Sequence, residues 1–362
     1  MLFNPKVFSQ RAFSQKARKK INVGIIGGAG YGGTELIRIL IFHPNVNLKF
    51  VTSRKYAGLK VSSVNRFLEG LIDLEYIEPD ISIFPEPIDL IFFATPHKTS
   101  MEMVPRLVRE IPEVSIIDLS GDYRLKNPDE YETYYGSKHS SPELLENFVY
   151  GIPELNRDKI RRARYIANPG CFATGIIFAL YPLLKEGLIK SPVTVVSVTG
   201  SSGSGDVPKE VTHHPMRAKN FKAYKILEHQ HLPEIKQFIR ERCGVDELEM
   251  GFIPQSGPFV RGIFTTAVAF NPGLSQEEVL EAVNRHYRGL KFVRVVNGSP
   301  EVVMVYGTNY VEVSYKYRDG FIVGMSAIDN LVRGASGQAI QNMNLMFGFE
   351  EIAGIWFPGM KP

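Results

Sequence analysis

The apolar positions change period midway along the chain. Ile21–Ile26 is a short, β-branched run that ends in glycines, and Thr34–Phe42 carries Leu36, Ile37, Leu40 and Ile41 at helical spacing. This pattern predicts strand, glycine-rich turn and helix. Leu48–Thr52 reads as a second strand. Asp89–Ala94 is a continuous apolar run, as in strands buried on both faces of a parallel sheet, and Ser115–Leu119 repeats it. Strands alternating with helical segments over the first ~160 residues predict a doubly wound α/β domain.

Farther on, Val193–Thr199, Ile263–Phe270, Tyr310–Lys316 and Phe321–Ile328 are longer runs of β-branched and aromatic residues, the last two separated by the turn sequence Arg318-Asp319-Gly320. They predict a mostly antiparallel sheet in an α+β domain. Helices are expected at Phe172–Glu186, Pro233–Arg242, Ser275–Arg288 and Arg333–Met346, and Ser275 followed by Glu278 fits a capping box.

Composition narrows the class. At 362 residues the chain suits two or three domains, and 23 Phe with 16 Tyr supply a core that excludes disorder for the bulk of it. No apolar run approaches the ~20 residues of a membrane-spanning helix. Two cysteines, Cys171 and Cys243, cannot make a disulfide scaffold and fit a reducing compartment. The net charge of +4 is too mild to announce nucleic-acid binding. It is also unevenly placed: Lys6, Arg11, Lys16, Arg18, Lys19 and Lys20 outnumber it, so the chain after residue 20 is slightly acidic. This basic extension reads as a solvated tail, with a short transit peptide or an arm toward an acidic partner as the alternatives. It has no secretory apolar region, and a cytoplasmic protein is expected.

Gly28-Ala29-Gly30-Tyr31-Gly32-Gly33 satisfies G-x-G-x-x-G between the first strand and the first helix, where glycines let a backbone approach a pyrophosphate and the helix N-terminus offers free N–H donors. The second strand ends in Thr52-Ser53-Arg54-Lys55, without the acidic residue that would hold a ribose 2′-OH. A hydroxyl and two cations suit a 2′-phosphate, so NADP is favoured over NAD, the alternative being an ordinary solvated loop.

Cys171 follows the turn Asn168-Pro169-Gly170 and opens a helix. A thiol there has a lowered pKa and N–H groups beside it for an oxyanion, so it reads as a nucleophile; a small buried hydrophobe is the alternative. Cys243, late in a polar helix, reads as inert. His229 and His231 precede a helix start, where either could act as general acid/base with Glu234 near enough to orient it. His213 and His214 lie among Lys209, Arg217, Lys219, Lys222 and Lys225, but no second Cys/His cluster exists, so no metal is expected. Arg124 and Arg261 could grip a substrate phosphate or carboxylate, or form structural ion pairs. A dinucleotide with a nucleophilic cysteine points to reduction of an acyl group through a thioester.

These residues stand in a recognisable order. After residue 20 the chain resembles the N-acetyl-gamma-glutamyl-phosphate reductases, relatives of aspartate-semialdehyde dehydrogenase. The resemblance rests on Gly27–Gly33, Thr52-Ser53-Arg54, Thr95-Pro96-His97, Asp118-Leu119-Ser120-Gly121-Asp122-Tyr123-Arg124 and Asn168-Pro169-Gly170-Cys171. Ser201-Ser202-Gly203-Ser204-Gly205, His229-Gln230-His231-Leu232-Pro233-Glu234, Arg261-Gly262 and Ala327-Ile328-Asp329-Asn330 extend it. It implies an NADP-binding Rossmann domain over 21–167, a catalytic and oligomerisation domain over 168–327, and a C-terminal helix over 328–362 returning to the first, behind the basic extension 1–20. It maps the nucleophile to Cys171 and the acid/base to the histidine pair, with His231 preferred. It adds Pro96, His97, Ser202, Gly203 and Asn330 to the cofactor site, and Asn168 and Glu234 to Arg124 and Arg261 at the substrate. A homotetramer or homodimer is implied.

Within the family, enzymes acting on the free acetylated substrate usually carry tyrosine and proline after the cysteine, where this chain has Phe172-Ala173. That departure, with Thr212–Ala218 and Phe357-Pro358-Gly359, resembles the branch whose aminoadipyl or glutamyl phosphate is held by an acidic amino-group carrier protein, for lysine or arginine synthesis. The cations of Lys209–Lys225 would suit such a carrier. The expected function is therefore NADPH-dependent reduction of a carrier-bound acyl phosphate. Free N-acetyl-gamma-glutamyl phosphate is the alternative, and a non-catalytic NADP-binding redox regulator a remoter one.

Overall fold

The computed structural model describes residues 20–360; the basic extension, apart from Lys20, lies outside the described residues. Two seven-stranded sheets organise the chain. The first contains β1 (Ile21–Ile26), β2 (Val46–Thr52), β3 (Tyr76–Ile77), β4 (Leu90–Phe93), β5 (Ser115–Asp118), β6 (Phe148–Tyr150) and β7 (Tyr165–Ala167). Their order is β3-β2-β1-β4-β5-β7-β6, and every pairing is parallel. All four residues of β4 are buried, as a strand covered on both faces requires. The order reverses between β1 and β4, and the crevice beyond the carboxyl ends of those strands is where such sheets bind ligands.

The second sheet contains β8 (Val193–Thr199), β9 (Lys222–Ala223), β10 (Met250–Ser256), β11 (Ile263–Phe270), β12 (Val293–Val295), β13 (Val311–Arg318) and β14 (Phe321–Ile328), in the order β12-β13-β14-β11-β8-β10-β9. It is mixed: β8–β10 and β12–β13 are parallel and the remaining pairs antiparallel. Arg318 pairs with Phe321 across a two-residue turn whose Asp319 and Gly320 have φ of 50° and 82°. That left-handed pair matches the twist of a hairpin.

One face of this sheet is covered by the Cys171–Lys185 helix, buried from Phe172 to Leu184, with the Leu232–Cys243 and Gln276–Tyr287 helices packed against it. The last of these starts on the capping box expected from Ser275 and Glu278. The C-terminal segment begins as a π-turn at Val332–Ser336 and continues as the Gly337–Met346 helix. Its Ile340, Met343 and Leu345 join the core of Ile25, Leu36 and Phe92 in the first domain. Fully buried Arg333 bonds Glu154 at 2.6 Å and fixes that return.

Candidate active site

A cleft of about 920 Å³ runs from the glycine turn to Cys171. Ala29, Gly30, Tyr31 and Gly32 line one end, with Ser53 and Arg54 beyond them. The Tyr31–Leu40 helix has no side-chain N-cap and no acid in its first turn, so its N–H groups are left for an anion. Gly28 and Gly33 do not line the cleft. A Cβ on Gly33 would run into the Gly27 carbonyl, and one on Gly28 into Val51, so these two close the turn against the sheet. Over Gly30 and Gly32 nothing stands nearer than 3.9 Å to an added Cβ. This chain's own residues therefore fit a dinucleotide: a bare backbone cradle, a free helix terminus, and a hydroxyl and cation past β2.

Midway, Pro96 and His97 approach from the turn after β4. His97 Nδ1 accepts from Gly121 N–H at 2.8 Å, which puts its proton on Nε2. Burial and Arg124 push its pKa down to about 4, so it is neutral. Ser202, Gly203 and Asn330 line the opposite wall. Asn330 Oδ1 accepts from Gly262 N–H at 2.6 Å, and its Nδ2 donates to Ser202 Oγ at 3.0 Å, so Asn330 holds that wall in place.

At the far end Cys171 is half-buried on the first turn of its helix, and a Cβ on Gly334 would come within 2.7 Å of Cys171 Cβ. The lowered pKa expected of this thiol is not what the structure gives. Burial pushes it up to about 11, opposed by Arg124 and the N–H of Phe172. The helix start acts as foreseen, but desolvation outweighs it. Arg124 is fixed behind the thiol: Nε donates to the Asn168 carbonyl and Nη2 to that of Leu119, both at 2.8 Å, and Nη1 lies 3.4 Å from Glu234 Oε1.

Glu234 is fully buried and does not line the cleft. Its Oε2 accepts from Tyr150 Oη at 2.7 Å and from Gly170 N–H at 3.2 Å. It therefore ties Arg124, the turn before Cys171 and the histidines together, and the substrate contact expected of it is replaced by a positioning role. His231 stands before the Leu232–Cys243 helix with Nε2 3.7 Å from Glu234 Oε1, beside Gly170. His229 Nδ1 accepts from His231 N–H at 3.2 Å. Both histidines border the cleft, and burial holds both well below their usual pKa, to about 3 at His229.

Two further expectations fail. Asn168 is fully buried away from the cleft, donating to the Ala335 carbonyl at 3.1 Å, so its side chain braces the cysteine turn instead of touching substrate. Arg261 does not line the cleft and is held in ion pairs with Glu35 and, at 3.0 Å, with Asp329. Sequence reading missed Tyr150 and Tyr135, which surround Arg124 and lie on short elements with no clear periodicity. Among the described residues no group of three His, Cys, Asp or Glu is placed to hold a metal, and no helix is long and apolar enough to cross a membrane.

A dinucleotide cradle in one domain leading to a helix-borne thiol in the next defines a semialdehyde-dehydrogenase type of oxidoreductase. The profile of the semialdehyde dehydrogenase NAD binding domain matches residues 22–163, and that of the semialdehyde dehydrogenase dimerisation domain matches 171–330. Aspartate semialdehyde dehydrogenase II from Vibrio cholerae superposes with a TM-score of 0.69 at 15% identity, covering 91% of this chain and 98% of that one. The Candida albicans enzyme with NADP gives 0.67 at 15% identity over the same shares, so the fold is common to both. N-acetyl-gamma-glutamyl-phosphate reductases are far more similar in sequence. That of Methanopyrus kandleri is 45% identical over 346 residues, 94% of this chain and 99% of its own, and that of Methanosarcina barkeri 43% identical over 94% and 100%. The chain belongs to the N-acetyl-gamma-glutamyl-phosphate reductase family.

Proposed function

We propose that the protein reduces N-acetyl-gamma-glutamyl phosphate to its semialdehyde with NADPH, through a thioester on Cys171. The observation that carries this reading is the half-buried thiol at a helix start, at the end of the dinucleotide cleft, with a fixed guanidinium and a neutral histidine beside it. His231 takes the thiol proton as sulfur attacks the acyl carbon, and phosphate leaves, taking up one proton from water. The N–H groups at the helix start steady the oxyanion, and Arg124 offsets charge on the departing phosphate. NADPH, when bound, supplies the hydride. The aldehyde then departs as the sulfur–carbon bond breaks, and His231 returns its proton to the thiolate. The test is the reverse reaction: N-acetylglutamate semialdehyde, NADP⁺ and phosphate should yield NADPH, and no NADPH from this mixture would refute the substrate.

For the cofactor, Arg54 is exposed at the cleft end past β2. Arg54→Ala should raise KM for NADPH by about 10- to 100-fold and change KM for NADH little, since a charge-assisted phosphate contact contributes roughly 1.5–3 kcal/mol. Equal shifts for the two cofactors would make Arg54 a bystander.

The carrier-linked substrate stands as a second reading, because relatives at 41–45% identity are named for the free acetylated substrate. Its support is the cleft mouth. Lys209 lines it, Lys219 and Lys222 are exposed nearby, and Val211, Met216 and Phe221 are exposed among them. The five cations do not all face outward: Arg217 turns in, its Nη2 3.4 Å from the Thr199 carbonyl, while Lys225 stays exposed and binds Gln230 at 2.8 Å. If an acidic carrier docks here, Lys219→Glu with Lys222→Glu should slow turnover of carrier-linked substrate in a salt-dependent way and leave the free substrate unaffected. Unchanged kinetics on the carrier-linked form would exclude it.

The uncovered face of the second sheet supports self-association. On β11 and β14, Val268 pairs with Val323, flanked by Phe270 with Phe321 and Thr266 with Met325, all half-buried or exposed. A second copy seated there would bury this face, and light scattering should then give a mass of two or four chains. A single-chain mass would refute it.

A further inference from the structure

Behind His97 and Arg124, two carboxylates meet in the fully buried interior. Asp118 ends β5, and Asp122 lies in the loop that follows. Between them, Ser100 Oγ is 3.0 Å from Asp118 Oδ2, 2.8 Å from Asp122 Oδ2 and 3.0 Å from Ser120 Oγ, while Ser120 Oγ is 2.8 Å from Asp118 Oδ2. These oxygens must share protons, and two hydroxyls supply only two. With both acids ionised, the single Ser100 proton can serve one carboxylate, and the other faces a lone pair at hydrogen-bond distance.

The donors distinguish the two acids. Asp122 Oδ1 accepts from Lys98 N–H at 2.8 Å and Tyr131 Oη at 2.9 Å, and Oδ2 from Met101 N–H at 3.2 Å and Ser100. Both its oxygens face fixed donors. Asp118 Oδ1 accepts from Ser120 N–H at 2.9 Å, but its Oδ2 meets only the two hydroxyls, which can turn to accept.

We propose that Asp118 works as a neutral carboxylic acid that donates to Ser100, which in turn donates to Asp122, and that this shared proton locks the loop carrying Arg124 to the turn carrying His97. Asp118 is then a positioning residue. Through Asp122 the lock holds Lys98, whose φ is 78°, and through the same loop Gly121 donates to His97 and Leu119 accepts from Arg124. Burial first, and the Asp122 charge second, raise the Asp118 pKa, in agreement with the proton count. The titratable groups facing the pair are His97, Tyr123, Arg124, Tyr131, Tyr135 and His139. The histidines are pushed down and the tyrosines and arginine up, so each moves away from neutral pH. The backbone of Lys98 adds a donor and no titration.

The sign of the pH effect follows. An aspartate whose folded pKa is raised above the usual 3.8 holds a proton that the unfolded chain has already lost. The parent therefore loses stability as pH rises from that usual value through the raised one. Asp118→Asn keeps a donor and an acceptor without the charge. It should fold, keep kcat within about threefold, and show a melting temperature that declines less than the parent's from about pH 5 to about pH 9. Asp118→Ala and Asp122→Asn should each lower kcat tenfold or more, the latter because an amide N–H would face Lys98 or Met101 N–H. An Asp118→Asn protein that fails to fold, is as impaired as Asp118→Ala, or melts with the parent's pH dependence would overturn the proposal. The effect on rate rests on the reductase reading, but the melts decide the proton's place whether or not that substrate is turned over.

Discussion

Cys171→Ala is expected to abolish reduction of the acyl phosphate while leaving NADPH binding within about twofold of the parent. The thiol forms and breaks the bond to the acyl carbon, and the glycine turn, Ser53 and Arg54 lie at the other end of the cleft. Cys171→Ser should be equally inactive, because a hydroxyl at this helix start lacks the nucleophilicity of sulfur. Cys243→Ala should be close to neutral; that thiol is half-buried late in its helix, pushed up to about 11 by burial, and remote from the cleft lining. Turnover combined with fluorescence titration of NADPH separates the two effects. A Cys171→Ala protein with normal turnover would remove the thioester from the mechanism.

The second large effect is expected at Glu234, which does not line the cleft. Its carboxylate is fully buried, and Arg124, Tyr150 and Gly170 converge on it. Removing it in Glu234→Ala strands a buried guanidinium, a phenol and a backbone N–H together. Breaking a buried pair in this way costs about 3–5 kcal/mol of stability. Glu234→Gln keeps the volume and one acceptor, so it should retain most of the fold and still lose activity, since Arg124 and His231 lose their common anchor. Urea unfolding reads the first effect and kcat the second. If Glu234→Ala unfolds at the parent's midpoint and turns over at the parent's rate, the convergence on Glu234 has no functional weight.

Much of this architecture was legible in the sequence wherever a single periodicity ruled. β1, β8, β11 and β14 fall on the runs that announced them, and the capping box at Ser275 and the turn at Asp319-Gly320 are local chemistry with local consequences. Two elements containing proline escaped notice, although the helices carrying Pro182 and Pro233 did not. β10 carries Pro254, tolerated beside the two-residue strand β9, and the Ser100–Glu110 helix carries Pro105 near its first turns, although Met101, Val104 and Leu107 form its buried stripe. The second sheet is mixed because β10 enters parallel to β8 and β12 parallel to β13, and strand direction leaves no mark on composition.

The site was legible as a set of residue types, but their division of labour was not. Arg261 and Arg124 look alike as isolated cations. Only the fold brings Glu35 and Asp329 to the first and leaves the second behind the thiol. Glu234 was visible three residues after His231, yet its bonds to Tyr150 and Gly170 span 84 and 64 residues. The thiol's pKa was misjudged for the same reason: a helix start is local, whereas desolvation depends on everything packed around it.

The most direct test of the thioester is the mass of the Cys171 peptide. The protein is mixed with N-acetyl-gamma-glutamyl phosphate in the absence of NADPH, quenched in acid and digested. The acyl group should be found on the Cys171 peptide, absent from the Cys243 peptide, and lost when NADPH is added before the quench. A protein that turns over with NADPH yet carries no acyl group on Cys171 in its absence, or carries the adduct elsewhere, would contradict covalent catalysis at this cysteine.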